Sequence, residues 1–412
     1  MKQKTTFDLM AVLPVTCLSV VAMTISSNAI AADLTKAITG GTAKVDVRYR
    51  YETVDQDGIF ALDNNAIAST IRTRLGYETG VFNGLTAFVE MENIADAGAD
   101  DYAPENPGYP VIADPTLTEL NQSWVQWAGM TSEWTGLPTT KVKVGRQRLI
   151  LDNARFVGNV GWRQNEQTFD AVSVTNDSID KLSLSYAFLD KRHTITGTKG
   201  EMDSHLLNAK YAGLPIGAIT VYSYLLDFDV GAGTDTQTYG LRFDGNADLT
   251  SRVKGLYTAE YATQSDYQDS TNIDTEYALA EGGLAYKGIT AKVGYELLAA
   301  ADGGIAAFST PLATLHVFNG WADKFLVTPA TGLEDIYVSL GGALMTVNLS
   351  AVYHEFSADE GSVDFGTETD VQALKKFGKT YALGTKYAAF NTDSSPTYRD
   401  TDKFWIWGEL TF

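Results

Sequence analysis

The sequence predicts an all-β protein, a transmembrane antiparallel up-and-down β-barrel of about 18 strands with long extracellular loops and short periplasmic turns. Three observations predict this fold class. Apolar and charged residues alternate in many segments, short and long connections alternate between these segments, and the chain ends on an aromatic residue, Phe412. After the first 31 residues, no apolar run approaches the ~18 residues that a transmembrane helix needs.

Residues 1–31 have the pattern of a secretory signal peptide. Two lysines stand near the start, residues 9–25 are mostly apolar, and an Ala-Ile-Ala motif at 29–31 forms a cleavage site. A membrane anchor is the alternative, which fits less well because the apolar run is short and Pro14 interrupts it. We predict a leader over residues 1–31, an outer-membrane barrel over 32–412, and a location in the bacterial outer membrane.

Composition and motifs exclude several classes of protein. The only cysteine, Cys17, lies in the predicted leader, so the remaining chain has no disulfide and no cysteine nucleophile. The formal net charge of −20 argues against nucleic-acid binding, which needs a basic surface. The four histidines are scattered, and the signatures of zinc proteases, serine hydrolases and P-loop proteins are missing. We expect a protein that is not an enzyme, with no catalytic residues and no cofactor.

Strands are predicted where apolar and polar residues alternate, because a period of two places successive side chains on opposite faces of a strand. In residues 45–52, valine and tyrosine occupy the odd positions, and Asp, Arg or Glu occupy the even positions. The predicted strands are 41–54, 66–79, 83–93, 121–129, 139–149, 167–176, 179–190, 203–212, 216–228, 234–245, 251–263, 275–286, 289–299, 333–343, 345–357, 366–377, 379–391 and 402–412. All nine prolines after the leader fall between these strands, as a barrel without edge strands requires.

The last strand carries the most specific local pattern. Its apolar face consists of Phe404, Ile406, Leu410 and Phe412. A terminal aromatic residue preceded by apolar residues at alternate positions resembles the signal that the barrel-assembly machinery reads in outer-membrane proteins. An ordinary edge strand that ends in Phe is the alternative. Trp405 and Trp407 do not fit a polar inward face, unless the register shifts around Gly408.

Eight of the twelve arginines precede residue 165, and we predict that they guide anions through a pore. They are Arg48, Arg50, Arg72, Arg74, Arg146, Arg148, Arg155 and Arg163. An arginine that faces lipid at mid-depth costs about 2–4 kcal/mol, so the lumen is the favourable place. Guanidinium groups bind carboxylates and phosphates with paired donors. The alternative is an arginine ladder that only holds the wall together, paired with Asp46, Glu52, Glu78, Glu90 and Glu92.

Arg146 and Arg148 share parity with Val142 and Val144, which are expected to face lipid. A β-bulge at Gly145 would turn both arginines inward. Otherwise both arginines lie above the membrane.

The connection over residues 300–332 is more apolar than a surface loop should be, and Leu315, Phe318 and Ala322 have the spacing of a short helix. We predict that this loop folds into the mouth or lumen and narrows the pore. The residues predicted to contact solute there are His316, Trp321, Asp323 and Lys324. The alternative is a loop that only packs against the wall.

Acidic residues recur in the predicted loops, as at 96–101 and 359–364. Carboxylates of this kind bind Ca²⁺ or Mg²⁺ in some loops, although none here has a defined calcium-loop spacing. Solvated charges, or charges that meet the cations bridging lipopolysaccharide, are the preferred interpretation, and no metal-ligating residue is predicted.

Two motif regions and the closing strands resemble the alginate-export porin family. The first region reads VGRQRL at 144–149, DNARFVG at 152–158 and GWRQNEQTFDAV at 161–172. The second reads TLH at 314–316, FNGWADKF at 318–325, TP at 328–329 and GLED at 332–335, and the last strand contributes KFW at 403–405. The resemblance covers most of the chain after the leader. It implies an 18-stranded outer-membrane barrel with an arginine-lined pore, and it leaves the solute open.

The predicted function is passive diffusion of small anionic solutes, such as acidic sugars or oligosaccharides, through a porin surrounded by outer-membrane lipid and lipopolysaccharide. One alternative is a plugged outer-membrane sugar-binding protein or adhesin. A hydrolase with catalytic groups near the barrel rim is the other.

Overall fold

The structure is a computed structural model. It describes residues 27–58, 65–130, 139–229, 233–393 and 397–412. Most of the predicted leader lies outside these ranges, as do Pro138 and Pro396. One α-helix, α1 (Ser27–Thr39), precedes the first strand. In the described ranges, no helix has the length and apolar character needed to cross a membrane.

Eighteen strands follow α1 in the described residues, as the alternation predicted. Their bounds are β1 (Thr42–Gln56), β2 (Ala66–Glu78), β3 (Leu85–Asp101), β4 (Leu117–Met130), β5 (Thr140–Gln147), β6 (Thr168–Ile179), β7 (Leu182–His193), β8 (Lys199–Leu214), β9 (Gly217–Leu226), β10 (Thr236–Asp248), β11 (Val253–Asp266), β12 (Asp274–Tyr286), β13 (Ile289–Leu298), β14 (Leu333–Leu344), β15 (Val347–Ser357), β16 (Asp364–Phe377), β17 (Tyr381–Asn391) and β18 (Thr401–Thr411).

The sheet is closed. Each strand pairs antiparallel with its neighbours in sequence, and β1 also pairs with β18. At this seam, the terminal residue Phe412 and Val45 exchange two backbone hydrogen bonds of 2.7 and 2.9 Å. Closure pairs the backbone groups that an edge strand would leave open, which is what a membrane requires of a β-structure.

Several predicted boundaries differ from the structure. β3 continues to Asp101, well past its predicted end at residue 93, and β6 continues to Ile179 through a segment predicted as a turn. The loop predicted over 191–202 shrinks to 194–198. Register shifts occur in the extended parts of β2–β3 and β6–β7. An extra residue in one strand breaks the period of two, so alternation underestimates strand length there.

The two faces of the barrel have opposite character. Leu241, Val293 and Val338 point outward and are 52%, 55% and 54% exposed. Charged side chains of the same strands, such as Glu296 on β13 and Asp335 on β14, are buried inside. This arrangement suits a barrel whose outside meets lipid and whose inside holds the polar groups.

Trp405 and Trp407 point into the lumen and are 0% and 4% exposed. The register shift around Gly408 that the sequence analysis considered does not occur. The two indoles face inward because they pack edge-on against Trp162, with ring centroids 5.8 and 5.2 Å apart. An apolar inward residue therefore marks a place where a loop packs inside the barrel.

Replacing outward Val338 by Arg should lower the free energy of unfolding by about 2–4 kcal/mol, because the charge then faces the middle of the bilayer. Guanidinium titration of the protein folded in lipid vesicles measures this. The matched control is Ser339→Arg, which places the same side chain on the inward face and should cost much less. Equal costs for the two variants would contradict the assignment of the faces.

Candidate functional site

Two loops fold into the lumen, and they come from strands on opposite sides of the barrel. The first spans 148–167, between β5 and β6, and the second spans 299–332, between β13 and β14. Gln164 and Asn165 in the first loop, and Phe308 and Leu312 in the second, are completely buried. β5 is the shortest of the eighteen described strands, with 8 residues. Because it ends early, at Gln147, the chain leaves the barrel wall there and enters the lumen.

The two loops bind each other inside the barrel. The backbone N–H of Gly158 donates to the carbonyl of Leu312 (2.8 Å), and the N–H of Thr314 donates to the carbonyl of Ala154 (2.9 Å). A Cβ on Gly158 would lie 2.1 Å from Thr314 Oγ1, so only glycine allows this approach. The loops therefore form one unit across the lumen.

An aromatic cluster anchors this unit to the far wall. Phe156 in the first loop packs against Tyr222 on β9 and Tyr277 on β12, with ring centroids 5.1 and 5.2 Å apart. It also packs edge-on against Phe308 of the second loop, at 5.8 Å. These contacts remove apolar surface from water in the interior of a polar lumen.

The four arginines of β1 and β2 all lie on the inward face of the wall, and each is less than 9% exposed. Arg48 donates to Gln164 Oε1 (2.9 Å) and to the carbonyls of Gly161 and Arg163. Its nearest carboxylate is Glu409, at 3.8 Å. Arg48 therefore holds the first loop through neutral acceptors, and its ion pair with Glu409 is longer than the hydrogen-bonded pairs of the other three arginines.

The other three have acidic partners. Arg50 bonds to Asp114 (3.0 Å), a residue of the loop between β3 and β4, and its guanidinium lies 4.1 Å from the Trp162 ring centroid. Arg72 bonds to Asp46, and Arg74 bonds to Glu92. These contacts match the ladder alternative for Asp46 and Glu92.

The other three acidic residues of the predicted ladder have different partners. Glu52 pairs with Arg163, whereas Glu78 pairs with Lys44. Glu90 accepts from two amide side chains rather than from an arginine.

Arg146 and Arg148, at the end of β5, have different partners. The register of β5 is regular through Gly145, so the bulge considered there is absent, and Arg146 keeps the parity of Val144 while pairing with Asp170 (2.8 Å). Arg148 follows the strand and bonds to Glu166. Burial alone would raise the pKa of Glu166, but Arg74 and Arg148 outweigh it and lower the pKa to about 2.

Arg155 and Arg163 lie in the first loop and reach opposite walls. Arg155 donates to Glu296 on β13 (2.7 Å) and to Asn319 in the second loop (3.0 Å). Arg163 donates to Glu52 on β1 (3.0 Å) and to Asp323 (2.7 Å). Seven of the eight arginines thus hydrogen-bond to groups of the two loops, whereas Arg146 joins strands of the wall.

The second loop is docked through its backbone to acidic side chains that the sequence analysis did not single out. The N–H of Ala322 donates to Glu368 Oε1 (2.6 Å), and the N–H of Trp321 donates to Asp370 Oδ2 (3.2 Å), both on the inward face of β16. A Cβ on Gly320 would lie 2.3 Å from Glu368, so glycine is required there. The predicted short helix is only a three-residue 3-10 turn, Leu315–Val317.

His316 and Asp323 are buried together. Lys386 Nζ on β17 lies 3.1 Å from His316 Nε2. An ammonium group can only donate, so Nε2 accepts, and Nδ1 carries the hydrogen and donates to Asp323 Oδ1 (2.7 Å). Burial lowers the pKa of His316 to about 3, with help from the positive charges of Lys386 and Arg163.

Lys386 joins both loops to the wall. Its ammonium lies 3.9 Å from the ring centroid of Trp162 and 4.0 Å from that of Trp321, which belong to different loops. A cation held by two indoles and a histidine nitrogen keeps its favourable interactions after it leaves water. Lys386 stands on the polar face of a predicted strand, but a single lysine there carries no sequence signal for this role.

The side chains of His316 and Asp323 are only 2% and 6% exposed, whereas Trp321 and Lys324 are partly exposed. Lys324 Nζ lies 3.5 Å from Gln56 Oε1, and burial lowers its pKa to about 8. Of the four residues predicted to contact solute, these two remain open to the lumen. No group of three His, Cys, Asp or Glu side chains in the described ranges is arranged to hold a metal ion.

The docking of the second loop should weaken in acid. Above pH 6.5 the His316 ring is neutral whether the loop is docked or released. As the pH falls from 6.5 toward 3, only the released ring takes up a proton, so docking loses roughly 2–3 kcal/mol by pH 4.5. Hydrogen exchange of residues 315–323 at pH 7.5 and 4.5, corrected for intrinsic rates, measures this. His316→Asn should remove most of the pH dependence, and an unchanged dependence in that variant would contradict the assignment.

Comparison with known proteins identifies a family and a set of solved structures that this chain resembles. The family model for alginate export matches residues 42–302, which is more than half of the chain. No curated protein matches the sequence at a significant level.

Solved structures share the fold at low sequence identity. OccAB2 of Acinetobacter baumannii is 15% identical, with a TM-score of 0.69 over 92% of this chain and 99% of that chain. OccK9 (OpdG) of Pseudomonas aeruginosa is 12% identical, with a TM-score of 0.69 over 91% and 100%. OpdL of P. aeruginosa is 15% identical, with a TM-score of 0.67 over 91% and 99%. The chain belongs to the alginate export family and is a porin-like β-barrel of the bacterial outer membrane.

Proposed function

We propose that the protein is a channel for passive diffusion of small anionic solutes, such as acidic sugars or oligosaccharides, and that the solute moves along the arginine-bearing wall of β1 and β2. One observation carries the proposal. The Nε atoms of Arg50 and Arg72 are buried and have no hydrogen-bond acceptor among the described residues, although their carboxylate partners lie close by.

Unused donors of this kind favour an anion. A buried N–H without an acceptor costs about 1–3 kcal/mol, and a carboxylate or phosphate admitted by a shift of the first loop would supply that acceptor. Arg48 adds a charge whose hydrogen-bonded partners are all neutral. Paired guanidinium donors suit planar oxyanions, so the wall favours carboxylated or phosphorylated solutes over chloride alone.

The packing of the loops supports a second candidate, a closed barrel that binds sugar or acts as an adhesin. Two loops that bond to each other and bury a large apolar cluster leave little free lumen where they meet. A barrel of this kind would carry no current, so conductance distinguishes it from a channel.

We also infer that Phe412 contacts the barrel-assembly machinery. Its side chain is 66% exposed at the seam where the barrel closes, so it is accessible to a partner before closure.

The reversal potential across a KCl gradient in a planar bilayer tests the channel proposal. The intact protein should favour anions. Replacing Arg48, Arg72 and Arg74 by Gln should lower the anion-to-cation permeability ratio roughly tenfold, since three charges contribute about 0.5 kcal/mol each and a tenfold change corresponds to about 1.4 kcal/mol.

The control variant removes three inward cations from the other walls, at Lys210, Arg242 and Lys292, each of which is paired with a wall carboxylate. It should change the ratio much less. Cation preference in the intact protein would contradict the anion proposal, and absence of conductance would favour the closed barrel.

A further inference from the structure

A row of aromatic and basic side chains lines the lumen at its short-turn end, which is the periplasmic end of an outer-membrane barrel. Lys44 Nζ on β1 lies 5.0 Å from the ring centroid of Phe88 on β3. The rings of Phe88 and Trp124, on β4, are 5.4 Å apart, and Lys143 Nζ on β5 lies 4.3 Å from the Trp124 ring. Phe88 lies over Gly76, where a Cβ would be 2.9 Å from its ring.

This row carries excess positive charge. Lys44 pairs with Glu78 at 2.5 Å, but Lys141 and Lys143 form no ion pair with any residue that the structure describes. Other inward lysines are paired, Lys210 with Asp244 and Lys292 with Glu281 among them. Because they lack a carboxylate, Lys141 and Lys143 remain available to an anion.

Both lysines are inward and reachable from the lumen. Their neighbours Val142 and Val144 pair with the outward residues Trp127 and Val125, which are 41% and 49% exposed. Lys141 itself is exposed and Lys143 is partly exposed. A solute entering from the periplasmic end meets these ammonium groups before it reaches the two inward loops.

Trp124 provides an independent indication of a ligand. Its Nε1 atom is buried and has no hydrogen-bond acceptor among the described residues. An indole N–H usually finds an acceptor when it leaves water, and an orphan donor on the ring that the Lys143 ammonium contacts is complementary to a ligand rich in oxygen.

We propose that Lys141, Lys143 and Trp124 form a capture site for a ring-shaped organic anion of about one sugar unit. The carboxylate or phosphate of the ligand binds the two ammonium groups, a ring hydroxyl accepts from the Trp124 N–H, and the ring lies beside the aromatic pair. The site rests on the proposed function and deepens it, because it states where the anion is first bound and from which side.

Equilibrium binding to the purified protein in detergent, measured by isothermal titration calorimetry, tests the site. The probes are D-glucuronate, D-glucose 6-phosphate, D-glucose and inorganic phosphate. Either sugar anion should bind, and the better of the two identifies the oxyanion that the site prefers. Glucose and inorganic phosphate should each bind at least tenfold more weakly, because one lacks the charge and the other lacks the ring.

Replacing Lys141 and Lys143 by Gln should raise the Kd of the preferred sugar anion at least tenfold, and Trp124→Phe should raise it roughly fivefold. The control with Lys210 and Lys292 replaced by Gln should leave it unchanged, which also excludes a general effect of lost positive charge. An unchanged Kd in the Lys141/Lys143 variant, or inorganic phosphate binding as tightly as the sugar anion, would overturn the site.

Failure of the site and failure of the channel proposal are distinguishable, because calorimetry needs no conducting pore. Lysine-dependent binding in a protein that prefers cations would support the capture site and contradict the anion-channel proposal. Anion selectivity without lysine-dependent binding would leave the channel standing and remove the site.

Discussion

A polar group that lipid or packing removes from water costs free energy unless it finds a partner within the protein, and this constraint shapes the whole chain. For the backbone, it requires a closed sheet, which the pairing of β1 with β18 completes. For the two loops that enter the lumen, it requires acceptors and donors on the surrounding strands. Glu368 and Asp370 accept from loop amides, and Arg48 donates to loop carbonyls, so wall and loops are complementary in charge and in hydrogen bonding.

The same pairs that hold the loops also define any path through the barrel. Lys386 lies between two indoles from different loops, and Arg163 joins β1 to the second loop through Asp323. Charge that holds a loop is compensated, whereas charge without a partner is available to a solute. The proposed functions of the lumen therefore depend on the few buried groups that lack a hydrogen-bond partner among the described residues, above all Arg50 Nε, Arg72 Nε and Trp124 Nε1.

Alternation alone was enough to predict all eighteen strands, because a barrel wall repeats one local rule with a period of two. The same rule predicted that the arginines of β1 and β2 point inward. The inward path of the second loop was predicted from the unusual apolar content of that loop. The partners Asp114, Glu368 and Lys386 did not, since each contact joins segments far apart in sequence. Trp405 and Trp407 did not fit the predicted polar inward face for the same reason, because their partner Trp162 lies in a loop far away in sequence.

We propose that the two joined loops, rather than the barrel wall, set the width of the lumen. Single-channel conductance of a variant lacking residues 308–326, compared with the intact protein at equal salt, tests it most directly. Removal of this segment deletes the contacts of the second loop with Arg163, Glu368 and Lys386, so the conductance should rise several-fold. An unchanged conductance in a correctly folded variant would contradict the account.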